Sequence, residues 1–304
     1  MTDDRRSLHG VLYGLAAYVW WGLSPLYFKA LAHVPPAEVL VHRILWSLLL
    51  LVVLLARRGD LAAVWRAAHQ RRVLLILAAT TVLVGMNWFI YIWAVANQRV
   101  LEASLGYFIN PLVNAALGML LLRERLRSLQ WASLGLAGAG VALLAVRLGS
   151  LPLVSLVLAV SFSLYGLLRK VAPIGGMAGL AIETALLAPA AGVALTVWAI
   201  DQRLVFGHGS RSGDLLLAAS GLVTALPLVW FANAARRLRY ATLGFLQYAA
   251  PTLQFLLAVV VYGEPFNRTQ LMSFSLIWCA LGLFSIDVWR HSAGRRSTHS
   301  PRAS

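Results

Sequence analysis

Ten apolar stretches follow one another along most of this 304-residue chain, and basic residues collect on alternate connections between them. One stretch, residues 73–96, has no charged residue and would span about 36 Å as a helix at roughly 1.5 Å per residue. The pattern therefore predicts an all-α integral membrane protein with ten transmembrane helices. The predicted spans cover residues 8–28, 37–56, 73–96, 101–122, 130–147, 151–169, 177–200, 214–235, 240–262 and 269–288.

The overall composition supports the same conclusion independently of the spans. Hydrophobic residues make up 60% of the chain and charged residues only 12%, whereas about 25% of the residues in a soluble domain are charged. Such a chain has too few polar side chains to cover its own apolar surface. Lipid is therefore expected to cover part of that surface.

Basic residues set the predicted orientation. The segments predicted to face the cytoplasm hold 19 of the 26 basic residues, and the opposite segments hold six. By the positive-inside rule, this imbalance places both termini in the cytoplasm. The net charge of +15 follows from the same residues. They are spread over six short segments without a basic stripe that contains aromatic residues, so nucleic acid is not an expected partner.

The chain contains an internal repeat. An offset of 140 residues aligns Pro111 with Pro251 and Glu124 with Glu264. Five spans per repeat is an odd number, so the two repeats are predicted to be inverted, an arrangement that is typical of carriers with alternating access. We assign the first five-helix repeat to residues 1–148, the second to 149–289, and a disordered cytoplasmic tail to 290–304.

Several motifs resemble a known family. The repeat ends Leu-Leu-Arg-Glu-Arg-Leu at 121–126 and Tyr-Gly-Glu-Pro-Phe at 262–266, with Val-His-Arg-Ile-Leu-Trp-Ser at 41–47, resemble the EamA family of the drug/metabolite transporter superfamily. Three longer motifs resemble its RarD subgroup. These motifs are Tyr-Val-Trp-Trp-Gly-Leu-Ser-Pro-Leu-Tyr-Phe-Lys at 18–29, Asn-Trp-Phe-Ile-Tyr-Ile-Trp-Ala-Val-Ala-Asn at 87–97 and Glu-Ala-Ser-Leu-Gly-Tyr-Phe-Ile-Asn-Pro-Leu at 102–112.

The resemblance covers nearly the whole chain. It implies a bacterial inner-membrane permease built from two inverted five-helix repeats. RarD proteins are named for an association with chloramphenicol sensitivity, and that name does not supply a physiological substrate. The resemblance therefore implies a fold and a transport function, with an unidentified small molecule and the lipid bilayer as partners.

Common enzyme signatures are missing from the sequence. It has no Gly-x-x-x-x-Gly-Lys-[Ser/Thr] loop, no His-Glu-x-x-His and no Gly-x-Ser-x-Gly. Cys279 is the one cysteine, so we expect neither a disulfide within the chain nor a cysteine-based metal site, and no cofactor. Transport would then be facilitative or driven by an ion or proton gradient. Two alternatives stay open, namely a membrane-embedded enzyme acting on a lipid-borne substrate and a channel.

Charged and titratable side chains inside spans are the first candidates for a site, because polarity is costly there. His42 and Arg43 lie about 9 Å from the outer end of the second span, and Glu183 lies about 9 Å from the inner end of the seventh, at roughly 1.5 Å per residue. Arg43 could line a cavity or extend to the outer headgroups. Glu183 is the candidate for proton coupling, with a salt-bridged packing role as the alternative. Its candidate cationic neighbours are His42, Arg43 and Lys170.

Amides and aromatic residues form the second group of candidates for a substrate cavity. They surround Pro111 and Pro251 in the fourth and ninth spans, where they could also satisfy backbone groups that proline leaves free. Others lie in the first and third spans. The full group is Trp20, Asn87, Tyr91, Tyr107, Asn110, Asn114, Gln247, Tyr248 and Gln254.

The predicted orientation can be tested with reporter fusions. Fusions after Arg72, Arg127, Lys170, Arg239 and the C-terminus should all report the cytoplasm, because those segments hold the excess of basic residues. Alkaline phosphatase and green fluorescent protein activities measure the two sides. A periplasmic C-terminus would contradict the ten-span arrangement.

Overall fold

The computed structural model describes residues 3–31, 33–96, 100–147, 153–261 and 268–297. Within these ranges the chain is almost entirely helical and forms no β-strand. Helices suit the apolar segments because each satisfies its own backbone hydrogen bonds without water. The helices are α1 (Asp3–Ala30), α2 (Pro36–Arg57), α3 (Leu61–Ala68), α4 (Arg71–Ala96), α5 (Val100–Leu122), α6 (Ser128–Arg147), α7 (Leu153–Val171), α8 (Gly176–Ile200), α9 (Arg211–Arg237), α10 (Tyr240–Gln247), α11 (Ala249–Leu256) and α12 (Arg268–Ser297), with a π-helical turn (Leu257–Val261) after α11.

Six helical segments among the described residues are long and apolar enough to cross a membrane. The predicted all-helical membrane fold is thus confirmed, while the count of ten spans in two inverted repeats stays a prediction. The motif at 262–266 lies outside the described residues. α12 overlaps the first part of the segment 290–304, which the sequence predicts to be disordered. The six segments are Pro36–Arg57, Arg71–Tyr91, Leu105–Leu122, Leu153–Val171, Gly176–Ile200 and Arg211–Arg237, and Ser128–Leu143 and Leu271–Asp287 are shorter apolar helices.

The ninth predicted span is interrupted. The sequence predicts one helix over 240–262, but α10 ends at Gln247 and α11 begins at Ala249. Proline has no backbone N–H, so Pro251 cannot donate to the carbonyl of Gln247 four residues earlier. The missing bond falls where α10 ends. In α5, by contrast, the helix continues through Pro111.

A short helix lies in the basic connection between the second and third predicted spans. This helix, α3, packs Val64, Ala67 and Ala68 against an apolar cluster that includes Val73. Trp65 lies on its other side and is 69% exposed. Tryptophan is enriched where membrane meets water, so α3 has the composition of a helix at that boundary.

The long helices pack mainly across the two halves of the chain. α1 packs against α9, α10 and α11, and α7 packs against α4 and α5. α2 contacts α8 and α9, α8 also contacts α4, and α5 contacts α10. α6 packs on α12, where a Cβ on Gly140 would come within 2.9 Å of the Ser273 carbonyl oxygen. The bundle therefore depends on contacts between halves more than on contacts within one half.

The outer surface of the bundle is apolar. Leu120, Val193 and Leu215 are 76%, 65% and 72% exposed, and many other large apolar side chains are exposed with them. A soluble protein rarely exposes contiguous apolar area of this extent. Lipid is the environment that makes such a surface stable.

A carboxylate bound to backbone N–H groups joins the two halves at their predicted cytoplasmic ends. Glu124 lies in the connection after α5, and its two carboxylate oxygens accept hydrogen bonds from the backbone N–H groups of Tyr240 and Ala241, at 2.7 and 3.1 Å. The N-cap residue of α10, Arg239, makes no capping bond with its side chain. Glu124 therefore caps α10 from the other half and complements the positive end of that helix.

Removing this cap should destabilise the contact between the halves. We expect Glu124→Ala to lower the free energy of unfolding by about 1–2 kcal/mol, because two N–H groups of α10 lose their acceptor. Glu124→Gln keeps one side-chain oxygen and should lose less. The unfolding midpoint in detergent, measured by tryptophan fluorescence, checks both variants. An unchanged midpoint for Glu124→Ala would contradict this role.

Candidate functional site

A cavity lies among eight helices, which are α1, α2, α4, α5, α7, α9, α10 and α11. Its volume is about 850 Å³, counting the part that is open to solvent. Six of the residues that the sequence predicted for a substrate cavity line it, and they come from both halves: Arg43, Asn87, Tyr91, Tyr107, Gln247 and Gln254.

Arg43 provides a positive charge in the wall of this cavity. Its Nε donates a hydrogen bond of 2.8 Å to Oγ1 of Thr224 on α9. The guanidinium carbon lies 4.9 Å from the ring centre of Trp88 and 5.5 Å from that of Phe28, within the range of cation–π attraction. The structure thus places Arg43 at the cavity rather than in an exposed position at the outer end of α2.

Two of the lining amides also hold neighbouring helices together. Nδ2 of Asn87 donates to the Leu158 carbonyl oxygen at 3.0 Å and to Ser161 Oγ at 2.9 Å, which links α4 to α7. Nε2 of Gln254 donates to the carbonyl oxygen of Trp21 at 3.1 Å, which links α11 to α1. Each amide therefore fixes a pair of helices on the cavity wall.

The amides of α5 lie behind the lining. Asn114 donates to Oε1 of Gln247 at 3.2 Å and so orients a lining residue from outside the cavity. Asn110 is only 1% exposed, and its backbone oxygen accepts a long bond of 3.5 Å from Ser163 Oγ. The structure therefore brings Asn114 to the cavity indirectly and places Asn110 in the contact between α5 and α7.

Aromatic rings form much of the remaining wall. Tyr91 and Tyr107 meet edge to face with ring centres 5.9 Å apart. Trp21 and Phe162 meet in the same way at 5.8 Å. All four rings line the cavity, so an apolar body could pack on them while a polar group reaches Arg43.

Trp20 and Tyr248 are placed away from the cavity lining. The indole N–H of Trp20 donates to the Val223 carbonyl oxygen at 3.2 Å, and its ring packs edge to face on Trp230. Tyr248 is fully buried and packs on Phe245 with ring centres 6.1 Å apart. Both residues have packing contacts that account for their positions.

His42 packs against the connection between α8 and α9 and does not line the cavity. Its Nδ1 accepts a hydrogen bond of 3.1 Å from Nε1 of Trp46, and its ring centre lies 4.6 Å from that of Phe206. The carboxylate of Glu38 accepts bonds from the backbone N–H groups of Val205 and Phe206, at 2.9–3.1 Å. Together these contacts attach the connection after α8 to the first turns of α2.

Glu183 belongs to a separate buried polar cluster. Its carboxylate accepts a bond of 2.5 Å from Thr80 Oγ1 on α4 and one of 3.5 Å from the Tyr165 hydroxyl on α7. The Nε atom of Arg169 lies 3.7 Å from Oε1 of Glu183, and both side chains are 1% exposed. Nη2 of Arg169 also donates to the Gly176 carbonyl oxygen at 3.0 Å.

Sequence reasoning missed several of these residues, and Arg169 and Thr224 are the two that bind predicted ones. The positive-inside rule treats Arg169 as a cytoplasmic residue, but α7 continues through Val171 and buries it beside Glu183. Arg169, rather than one of the expected cations, is therefore the charged neighbour of Glu183. Thr224, which binds Arg43, gave no sequence signal because one hydroxyl is common in an apolar span. The long-range pairing of α2 with α9 was needed to find it.

The Arg169–Glu183 pair can be tested by removing one charge or both. Arg169→Met leaves a buried carboxylate without its cation, and we expect a loss of about 3–5 kcal/mol in stability. Arg169→Met combined with Glu183→Leu should recover most of that loss, because no charge stays buried. Yield of monodisperse protein and the unfolding midpoint measure both effects. A double variant no better than the single variant would contradict a paired role.

These features define a multi-pass membrane protein, in which apolar helices surround a cavity lined by polar and aromatic side chains. Comparison with known proteins gives the class directly. Residues 8–146 match the model of the EamA-like transporter family.

Relatives extend this match over nearly the whole chain. Protein RarD of Escherichia coli is 45% identical over 286 residues, which cover 94% of this chain and 97% of that protein. An uncharacterized transporter of Pseudomonas aeruginosa is 50% identical over 282 residues, covering 92% and 94% of the two chains. The chain belongs to the EamA-like transporter family and to its RarD subgroup, which confirms the resemblance seen in the motifs.

A second relative in Pseudomonas aeruginosa, the chloramphenicol-sensitive protein RarD, is 34% identical over 94% of this chain and 96% of its own. A solved crystal structure superimposes with a TM-score of 0.68 at 21% identity, covering 90% of this chain and 96% of that chain. At that identity the likeness concerns the fold alone.

Proposed function

We propose that the protein is a secondary transporter of the bacterial inner membrane that moves a small organic solute by alternating access. The observation that carries the proposal is a cavity lined by residues of both halves, with Arg43 and Asn87 from the first half and Gln247 and Gln254 from the second. Carriers bind their solutes between repeats that move relative to each other. Membership of a transporter family supports the same function.

The packing of the helices supports an arrangement of ten spans in two inverted repeats. In such an arrangement the equivalent helices are α1 and α7, α2 and α8, α4 and α9, α5 and α10–α11, and α6 and α12. Each contact between helices should then have a counterpart in which every helix is replaced by its equivalent. The contacts of α1 with α9 and with α10–α11 become those of α7 with α4 and with α5. The contact of α2 with α9 becomes that of α8 with α4, and the α6–α12, α2–α8 and α5–α10 contacts map onto themselves. A twofold relation between the halves accounts for this correspondence.

The lining of the cavity lies toward one side of the bundle in this arrangement. Its lining residues lie at the middle of the helices or toward the ends predicted to be periplasmic, as for Phe28 in α1 and Arg43 in α2. On the predicted cytoplasmic side, the rings of Tyr165 and Phe231 stack at 6.1 Å, and Glu124 binds the start of α10. With both termini in the cytoplasm, this geometry corresponds to an outward-facing state.

Counterflow in vesicles tests the carrier function while the solute is still unidentified. Vesicles containing purified protein are preloaded with an unlabelled bacterial metabolite extract and placed in a uniformly ¹³C-labelled extract. Labelled organic solute should accumulate inside, as detected by mass spectrometry, and protein-free vesicles should take up none. A labelled solute that returns chemically altered would indicate a membrane enzyme. If solute enters at a rate that does not saturate with its concentration, and no counterflow occurs, the protein would be a channel.

A matched pair of variants tests whether transport depends on the cavity. Gln254→Leu removes a lining amide, and we expect at least a threefold lower counterflow rate with the same amount of inserted protein. Thr196→Leu makes a similar change on the exposed outer side of α8, where the hydroxyl bonds only the Gly192 carbonyl oxygen. Equal counterflow rates in the two variants would show that transport does not depend on this cavity.

Glu183 is the group that we propose for proton coupling. It is buried, it contacts Thr80, Tyr165 and Arg169, and it lies on the predicted cytoplasmic side of the cavity. Glu183→Gln mimics the protonated carboxyl, so it should abolish accumulation driven by a pH gradient and preserve solute exchange. Normal accumulation by this variant would exclude coupling through Glu183, and a parallel loss of exchange and folded protein would indicate a packing role.

A further inference from the structure

The charge in the wall of the cavity has no counter-charge. Among the described residues that line it, Arg43 is the one Lys, Arg, His, Asp or Glu. Its one hydrogen bond within the described chain goes to the neutral hydroxyl of Thr224. Arg169, by comparison, is buried beside the carboxylate of Glu183. A cation in a cavity within a membrane protein attracts an anion, and the described chain supplies none to Arg43.

The guanidinium of Arg43 is also oriented. Nε is occupied by Thr224, and the rings of Trp88 and Phe28 flank the group at 4.9 and 5.5 Å from its carbon. The two terminal Nη groups make no hydrogen bond to a described residue. Two parallel N–H donors on a planar group match the two oxygens of a carboxylate.

From these observations we infer that the cavity takes organic monocarboxylates that have a flat apolar body, an inference that rests on the proposed transport function. One guanidinium neutralises one negative charge, so a dianion would leave a net charge enclosed. The described lining offers no carboxylate to an ammonium group, which disfavours amines and amino acids. The rings of Trp21, Phe162 and Tyr18 supply an apolar wall for the rest of the molecule.

The inference is tested by three probes that share a phenylpropyl body, namely 3-phenylpropionate, 3-phenylpropan-1-ol and 3-phenylpropylamine. Binding to the purified protein is measured by isothermal titration calorimetry and by quenching of tryptophan fluorescence, since Trp21 and Trp88 line the cavity. We expect the carboxylate to bind at least tenfold more tightly than the alcohol. The amine should bind no better than the alcohol.

Variants of Arg43 test whether this residue causes the preference for the carboxylate probe. Arg43→Gln should weaken carboxylate binding at least tenfold and alcohol binding much less, and an unchanged unfolding midpoint shows that the variant is folded. Arg43→Lys keeps the charge without the planar donors and should be intermediate. Arg203→Gln is the matched control, because it removes an exposed arginine that pairs with Asp201 outside the cavity lining, and it should bind all three probes normally.

Several results would overturn the inference. They are equal binding of the three probes, a preference for the amine, no carboxylate binding, or an unchanged carboxylate affinity in Arg43→Gln. Counterflow separates this inference from the proposed function. If the vesicles exchange neutral or cationic solutes but no monocarboxylate, the substrate class is wrong and the carrier function stands. If the carboxylate binds through Arg43 but no solute exchanges, the carrier function is wrong and the binding site stands.

Discussion

The bilayer core offers no water to polar groups, and the rest of this structure follows from that constraint. Backbone groups are satisfied inside helices, and the apolar side chains of those helices face outward. Polar side chains within the bundle mostly find protein partners, as Asn87 does with Ser161 and Glu183 with Thr80. The positions where such a partner is missing are then informative, because an unmatched charge is costly in this environment.

Arg169 and Arg43 show two ways in which a cation within the bundle is accommodated. Arg169 lies beside Glu183 and donates to a backbone carbonyl, which gives it a structural environment of its own. Arg43 lies at a cavity, held by Thr224 and flanked by aromatic rings, with terminal N–H groups available. The same residue type therefore serves helix packing in one place and, in our proposal, provides a binding group in the other. The surrounding partners, rather than the residue itself, distinguish the two roles.

The sequence predicted the elements of the fold better than the contacts between them. Long apolar runs and their connections are local features, so nine of the ten predicted spans correspond to continuous helices over their described residues, and the ninth span is broken at Tyr248. Site residues depend on which helices pack together, which no local pattern records. Depth in a span singled out Arg43, which lines the cavity, and gave the same weight to His42, which binds Trp46 outside the cavity lining. Thr224 and Arg169 were found only through the packing of α2 on α9 and of α7 on α8.

The proposed alternating access requires the predicted cytoplasmic ends of the two halves to separate, and crosslinking measures this most directly. A side-chain Nη2 of Arg239 donates to the Arg125 carbonyl oxygen across the two halves. In a Cys279→Ala background, Arg125→Cys and Arg239→Cys would be joined by a short, cleavable bifunctional thiol reagent. The account predicts that joining them stops counterflow, that cleavage restores it, and that each single cysteine treated with the same reagent transports normally. Full counterflow by the crosslinked protein would contradict alternating access between these halves.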